Sequence, residues 1–111
     1  MPRYMSLIKY TPDALAGVRA SGFKARFDQL EKVTTAHGGT LISMDFVADD
    51  RYDFVAVFEL PDHDAFFALN TFSFSLGAIA DGMALELYTA DQADAALAKS
   101  QATDYRPPSA T

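Results

Sequence analysis

Cysteine and tryptophan are absent from this 111-residue chain, and only two histidines occur in it. Without cysteine there is no disulfide bond, no thiolate nucleophile and no cysteine-based metal site. His37 and His63 do not show the spacing of a metal-binding pair, so the sequence predicts no metal site and no bound cofactor. The fold must therefore be held by an apolar core, which a chain of this length is able to bury.

Basic residues are scarce as well. Fifteen acidic residues against nine basic ones give a net charge of −6, and no cluster of lysine and arginine offsets it locally. Binding to the phosphates of nucleic acid is therefore disfavoured. No apolar run approaches the roughly 18 residues of a membrane span, and no signal-peptide pattern is present. We expect a cytoplasmic protein with neither a nucleic-acid nor a membrane partner.

The clearest structural signal is the segment 51–62. Residues 52–60 are aromatic or aliphatic except for Asp53 and Glu59, a pattern typical of a strand that is buried on both faces. Pro61 has no N–H to donate to a neighbouring strand, and Asp62 is a good helix N-cap. The pattern predicts a central strand that ends at residue 60 and is followed by a helix.

The rest of the chain divides into further strands and helices around this segment. The predicted elements are a strand at 3–10, a short helix after Thr11, a helix from Phe23 to His37, a strand at 40–47, the strand at 52–60, a helix at 62–77, a strand at 83–88 and a terminal helix after the capping box at 89–92. Residues 1–100 are expected to form a single domain, and residues 101–111 a C-terminal tail with little to bury.

The order β, α, β, β, α, β plus a terminal helix is typical of an α+β, ferredoxin-like split βαβ domain. Such a domain has a four-stranded antiparallel sheet with the strand order 4-1-3-2. Its two main helices cover only one face of the sheet, whereas the strands here are apolar on both faces. We therefore expect a homodimer in which two copies pack through their sheet faces.

The sequence also suggests which sheet face would meet the partner. A four-residue loop at 48–51 would place Asp45 opposite Phe54, Ser43 opposite Ala56 and Leu41 opposite Phe58. The face carrying Val55 and Val57 would then pack against the helices, together with Ile42, Met44 and Phe46. The mixed aromatic and polar face would line a cavity between the two sheets.

A small, partly apolar ligand would suit such a cavity. The candidate ligand-binding residues are Tyr4, Tyr10, Ser43, Asp45, Tyr52, Phe54, Phe58, Glu86 and Tyr88. Asp45 and Glu86 are also candidate general bases, because a carboxylate in an apolar cavity can accept a proton; alternatively, each lies in water at the rim. Asp53 is expected to accept hydrogen bonds from the backbone or from Arg51, His37 to cap a helix, and His63 to be solvated.

The segment from Arg51 to Asp62, preceded by Gly38-Gly39, resembles the GYD-domain family of small bacterial dimeric α/β-barrel proteins, named for a Gly-Tyr-Asp signature. The likeness covers roughly residues 3–97. Arg51 stands where the family has its signature glycine, so the hairpin is expected to turn differently. The resemblance implies the fold and the dimer but no activity. A weaker likeness, through Tyr52-Asp53, is to the effector-binding domains of feast/famine regulators, which bind small amino-acid ligands between subunits.

Two functions follow from these expectations. The first is a homodimeric small-ligand-binding or interaction module, favoured because no nucleophile, base and orienting group are assembled by the sequence. The alternative is a cofactor-independent or haem-dependent oxygenase or isomerase of the dimeric α/β-barrel type, with Asp45 or Glu86 as base. This alternative is an argument from fold analogy alone.

Overall fold

The computed structural model describes residues 1–108 and has an α+β fold of four strands and four helices. The elements are β1 (Arg3–Tyr10), α1 (Pro12–Ser21), α2 (Phe23–Ala36), β2 (Thr40–Phe46), β3 (Phe54–Glu59), α3 (His63–Ser75), β4 (Ile79–Leu87) and α4 (Ala90–Leu97). The predicted order of elements is confirmed. Within residues 1–108, no helix has the length and hydropathy needed to cross a membrane. Of the predicted tail, residues 109–111 lie outside the described part of the chain.

The strands form one open antiparallel sheet in the order β2-β3-β1-β4, which is the predicted strand order. The two central strands are thus β1 and β3. The last strand is longer than predicted, because β4 begins at Ile79 and Gly82 lies inside it. At Gly82 a Cβ atom would lie 2.9 Å from the ring of Phe74 and 2.9 Å from the side chain of Ile8. Glycine therefore lets the end of α3 approach the sheet here.

Side-chain caps fix the starts of three helices. Thr11 accepts a hydrogen bond from the Ala14 N–H at the start of α1, and Asp62 accepts one from the Ala65 N–H at the start of α3. The predicted capping box of α4 is confirmed, since Thr89 and Gln92 each accept from the other's backbone N–H. These caps satisfy N–H groups that have no partner inside the helix.

The loop between β2 and β3 differs from the prediction. It spans residues 47–53 rather than 48–51, and Phe46 pairs with Phe54. The Asp53 carboxylate accepts from the Tyr10 N–H at 2.8 Å and lies 3.6 Å from Lys9 Nζ, while its carbonyl oxygen accepts from the Val47 N–H at 3.0 Å. Arg51 lies in this loop with an ordinary backbone conformation, since no non-glycine residue of 1–108 has a positive φ. Its N–H donates to the Asp49 carboxylate at 2.7 Å.

The longer loop shifts the pairing register by one residue, so Met44 and Phe46 pack against the helices as predicted while the two faces of β3 are exchanged. Phe54, Ala56 and Phe58 are buried on the face that packs against the helices, which we call the helix side of the sheet. Val55 and Val57 lie on the opposite face, the open side, and are only partly buried. The prediction that these two valines anchor the helices is therefore wrong. The larger aromatic rings bury more apolar area, which favours the observed arrangement.

A β-bulge in β2 restores one predicted contact. The pairing register shifts between Leu41 and Ser43, so Leu41 lies opposite Phe58 as predicted, while Ile42 is left exposed. Beyond the bulge, Met44 lies opposite Ala56 on the helix side. Edge strands often carry such bulges, and this one allows β2 to place both Leu41 and Met44 in the core.

The C-terminal part of the described chain projects from the domain. Every residue from Tyr88 to Pro108 is exposed, including all of α4. The longest dimension of the molecule is 60 Å, whereas the other two are 31 and 24 Å. The core therefore consists of the sheet with α1, α2 and α3.

We predict opposite effects for the same substitution at two glycines. In Gly39→Ala, the new methyl group would overlap the Glu59 carbonyl oxygen and lie 2.6 Å from Leu60 Cδ2, so the free energy of unfolding should fall by about 1–3 kcal/mol. In Gly17→Ala, the methyl group meets nothing within 4 Å in the interior of α1. It should raise the free energy by about 0.5–1 kcal/mol. Urea unfolding measures both, and equal effects would contradict the described packing.

Candidate functional site

A cleft of about 420 Å³ lies between α2, α3 and the helix side of the sheet. This volume lies within the range of about 300–1,000 Å³ that is usual for small-molecule sites. Its floor comes from β1, β2 and β3, one wall from α2 and the other from α3. The lining residues are Ser6, Ile8, Tyr10, Arg26, Gln29, Leu30, Lys32, Val33, Ala36, Met44, Phe54, Ala56, Phe58, Phe66, Leu69, Asn70, Phe72, Ser73, Phe74, Leu76, Ala78 and Ile79.

The cleft exists because small side chains cross the middle of the sheet. Ser6 of β1 pairs with Ala56 of β3 on one side and with Ala84 of β4 on the other. Directly opposed residues share a face, so all three lie on the helix side. On either side of this row stand large residues such as Phe58 and Phe54, which hold the helices away from the sheet. The small row between them leaves space that the helices do not fill.

Each helix presents one stripe of residues to this space. Along α2 the lining positions include Arg26, Leu30 and Val33, which are spaced by four and three residues. Along α3 they include Phe66 and Leu69 at the same kind of spacing. Residues three and four apart lie on one face of a helix, so both stripes follow from helical geometry.

Polar groups in the cleft are few, and the best defined pair joins β1 to α2. The guanidinium of Arg26 and the hydroxyl of Tyr10, which is buried, both line the cleft. Burial raises the pKa of Tyr10, the neighbouring Arg26 acts in the opposite direction, and the negative charge of Asp53 raises the pKa further. The cleft therefore combines an apolar lining with a cation at one of its polar points.

A second polar group lies at the other end of the sheet. The Tyr4 hydroxyl shares a 2.7 Å hydrogen bond with His63 Nδ1, and His63 Nε2 lies 3.6 Å from a Glu86 oxygen. Burial is the main cause of a raised pKa for Tyr4, and the negative charges of Glu86 and Asp62 add to it. The Tyr4 ring stacks on Phe66, with 4.1 Å between ring centres, so this group supports one wall of the cleft.

The predicted ligand-binding residues separate into distinct locations. Tyr10, Phe54 and Phe58 line the cleft, and Tyr4 and Glu86 form the group just described. Tyr4, Tyr10, Phe54 and Phe58 were predicted to face a second sheet. That prediction is wrong, because they are buried on the side of the sheet that the helices cover.

The other predicted residues lie elsewhere. Ser43 and Asp45 pair with Val57 and Val55 on the open side, Tyr52 is in the loop 47–53, and Tyr88 follows β4. A ligand-binding role for any of these residues stays a prediction.

Several residues that shape the cleft were not predicted as site residues. Arg26 is one of them, and its spacing from Leu30 and Val33 places it on the same stripe. That spacing is the signal that could have identified it. Asn70 lies in a segment where helical and strand-like spacing of apolar residues overlap. Nothing local in the sequence marks Asn70 or Ser6 as a site residue.

The groups invoked by the catalytic alternative do not converge on the cleft. Asp45 is exposed, Glu86 lies beside His63, and neither is part of the cleft lining. Neither histidine lines the cleft: His37 Nδ1 bonds to the Val33 carbonyl at 2.8 Å as part of the end of α2, and His63 bonds to Tyr4. The cleft thus offers no imidazole to a haem iron.

The comparison with protein families gave one match. A family model described as the GYD domain matches residues 4–97 of the chain, which is most of its length. The predicted resemblance to this family is thereby confirmed. A comparison with curated proteins found no match.

We predict that Tyr4→Phe lowers the free energy of unfolding by about 0.5–1.5 kcal/mol at pH 8, because the bond to His63 is lost while the ring stacking is kept. The pKa of Tyr4 is higher in the folded than in the unfolded protein. Its contribution to the free energy of unfolding is therefore complete below the unfolded-state pKa of about 10 and is lost as the pH rises through the folded-state pKa. Raising the pH from 8 to about 11 should therefore destabilise Tyr4→Phe less than it destabilises the wild type.

Tyr105→Phe is the matched control, since Tyr105 is exposed. Urea unfolding at both pH values measures the effect. An alkaline loss of stability that is the same in wild type, Tyr4→Phe and Tyr105→Phe would contradict the assignment of this loss to Tyr4.

Proposed function

The chain belongs to the GYD-domain family, and we propose that it is a homodimeric module that binds a small, partly apolar ligand in the cleft between α2 and α3. The observation that carries this proposal is the cleft itself, about 420 Å³ in a domain of 111 residues. Protein interiors normally close voids larger than a water molecule. A cleft kept open by small residues on the sheet and large ones beside them is suited to being filled by a ligand.

The homodimer is supported by the open side of the sheet. The pairing register places Val57, Met5 and Leu85 side by side, and next to them Leu7 and Met83. Antiparallel sheets with one face in water usually carry polar residues on that face. Here Met83 and Leu85 are 48% and 43% exposed. An apolar patch of this kind is typical of an interaction surface.

A second copy of the chain is the occupant that we propose for this surface. Two ferredoxin-like domains related by a twofold axis and packed sheet to sheet would form a dimeric α/β-barrel. Arg3 and Glu59 lie opposite each other at one end of the same face, where they provide charges at the border of the apolar area. In this arrangement the cleft lies on the other side of the sheet, so each subunit keeps its own ligand site.

Catalysis at Asp45 or Glu86 has less support than binding. Both residues lie outside the cleft lining, and Asp45 is exposed to water. No specific observation favours an oxygenase or isomerase reaction over ligand binding.

We predict that Leu85→Glu converts the dimer to a monomer, because the substitution would place two carboxylates in an apolar interface. The matched control is Phe67→Glu, since Phe67 is exposed on α3. Size-exclusion chromatography with light scattering, at micromolar protein, should show a dimer for wild type and Phe67→Glu and a monomer for Leu85→Glu. A monomeric wild type would sink the dimer proposal.

We predict that a ligand raises the melting temperature of the wild type but not of Ser6→Leu. The larger side chain at Ser6 would occupy the floor of the cleft beside Ala56. A thermal-shift screen with aromatic acids, quinones, amino acids and haem finds the ligand class. Ser100→Leu, an exposed position after α4, is the control and should respond as the wild type does. A shift that survives Ser6→Leu would place the ligand elsewhere.

A further inference from the structure

We infer that the ligand of this cleft is a small carboxylic acid with an apolar body, whose carboxylate binds Arg26. The inference rests on the proposed function and names the chemical class that the cleft selects. It follows from the charge of the lining, from the bonding state of Arg26 and from the position of this residue relative to the apolar floor.

The charge of the cleft is opposite to that of the chain. The whole protein carries 15 acidic and nine basic residues, a net charge of −6. The cleft lining contains two cations, Arg26 and Lys32, and no aspartate or glutamate. A cavity of positive charge on a negative protein attracts an anion into the cleft and not to the rest of the surface.

Arg26 has no carboxylate partner within residues 1–108. The nearest acidic residue along its helix, Asp28, pairs with Lys24 at 3.0 Å, and residues two apart on a helix point in different directions. Tyr10, whose hydroxyl is neutral, lines the cleft with Arg26. A guanidinium carries five N–H donors in a planar fork, so one hydroxyl leaves most of them available.

The acidic group closest to this pair is already engaged. Asp53 accepts from the Tyr10 N–H at 2.8 Å and lies 3.6 Å from Lys9 Nζ, and it is not part of the cleft lining. The positive charge of Arg26 is thus left for a ligand. Since Arg26 is partly buried in an apolar cleft, a carboxylate that accepts two of its N–H groups would form a strong, charge-assisted pair.

The remaining lining defines the other part of the ligand. Beyond Arg26 and Tyr10, the floor is formed by Ser6, Ala56 and Phe58, and Phe66 and Leu69 form the opposite wall. Apart from the small hydroxyl of Ser6, these side chains offer apolar and aromatic surface. A single carboxylate at the Arg26 end, with a flat or aliphatic body over the small residues of the floor, satisfies both parts of the cleft.

The test compares acids with their neutral amides. Isothermal titration calorimetry is run on the full-length protein with phenylacetate, 4-phenylbutanoate and octanoate, each beside its primary amide. Wild type should bind at least one acid about 10- to 100-fold more tightly than the matching amide, because hydrogen bonds to charged groups are the stronger ones. Arg26→Gln should remove this preference while the amide binds as before, and Arg26→Lys should restore part of it.

Arg19→Gln is the matched control, because Arg19 is exposed on α1 and lies outside the cleft lining. It should bind each acid as the wild type does, and circular dichroism verifies that every variant is folded. Equal binding of acid and amide, unchanged by Arg26→Gln, would overturn the carboxylate assignment and leave the ligand-binding function standing. Binding of neither series by the wild type would overturn both. Tighter binding of phenyl phosphate than of any carboxylic acid would overturn the carboxylate assignment in favour of a phosphate ligand.

Discussion

The pairing of β1 with β3 on one side and β4 on the other decides which side chains face the helices. Ser6 sits between Ala56 and Ala84, and Met5 sits between Val57 and Leu85. The first row is part of a core that packs against α2 and α3. The second row is left without cover inside one chain. One register therefore sets both the cleft and the apolar face that we assign to the partner.

Ligand binding and dimer formation use opposite sides of the same sheet. Phe54 and Phe58 hold the helices apart on one side, while Val55 and Val57 alternate with them and point to the other. A substitution on one side leaves the side chains of the other in place. Single substitutions can therefore disrupt ligand binding and dimer formation separately, although neighbouring residues of β3 face opposite sides of the sheet.

Local signals in the sequence were sufficient for the elements and their order. Pro61 and Asp62 mark the end of β3 and the start of α3, and the capping box at Thr89 and Gln92 marks α4. Asp53 has the structural role expected of it, as an acceptor of a backbone hydrogen bond.

The faces of the sheet were not predictable in the same way. Both faces of β3 are apolar, so alternation alone does not say which one meets the helices. The bond between Asp53 and Tyr10 joins residues 43 apart in sequence, and the cleft depends on strands and helices that meet only in the fold. The central place of β1 also matters during synthesis. Its partners follow late, since Ile8 pairs with Phe54 and Met5 with Leu85. At a ribosomal rate of about 5–20 residues per second, β1 waits several seconds with both edges unpaired.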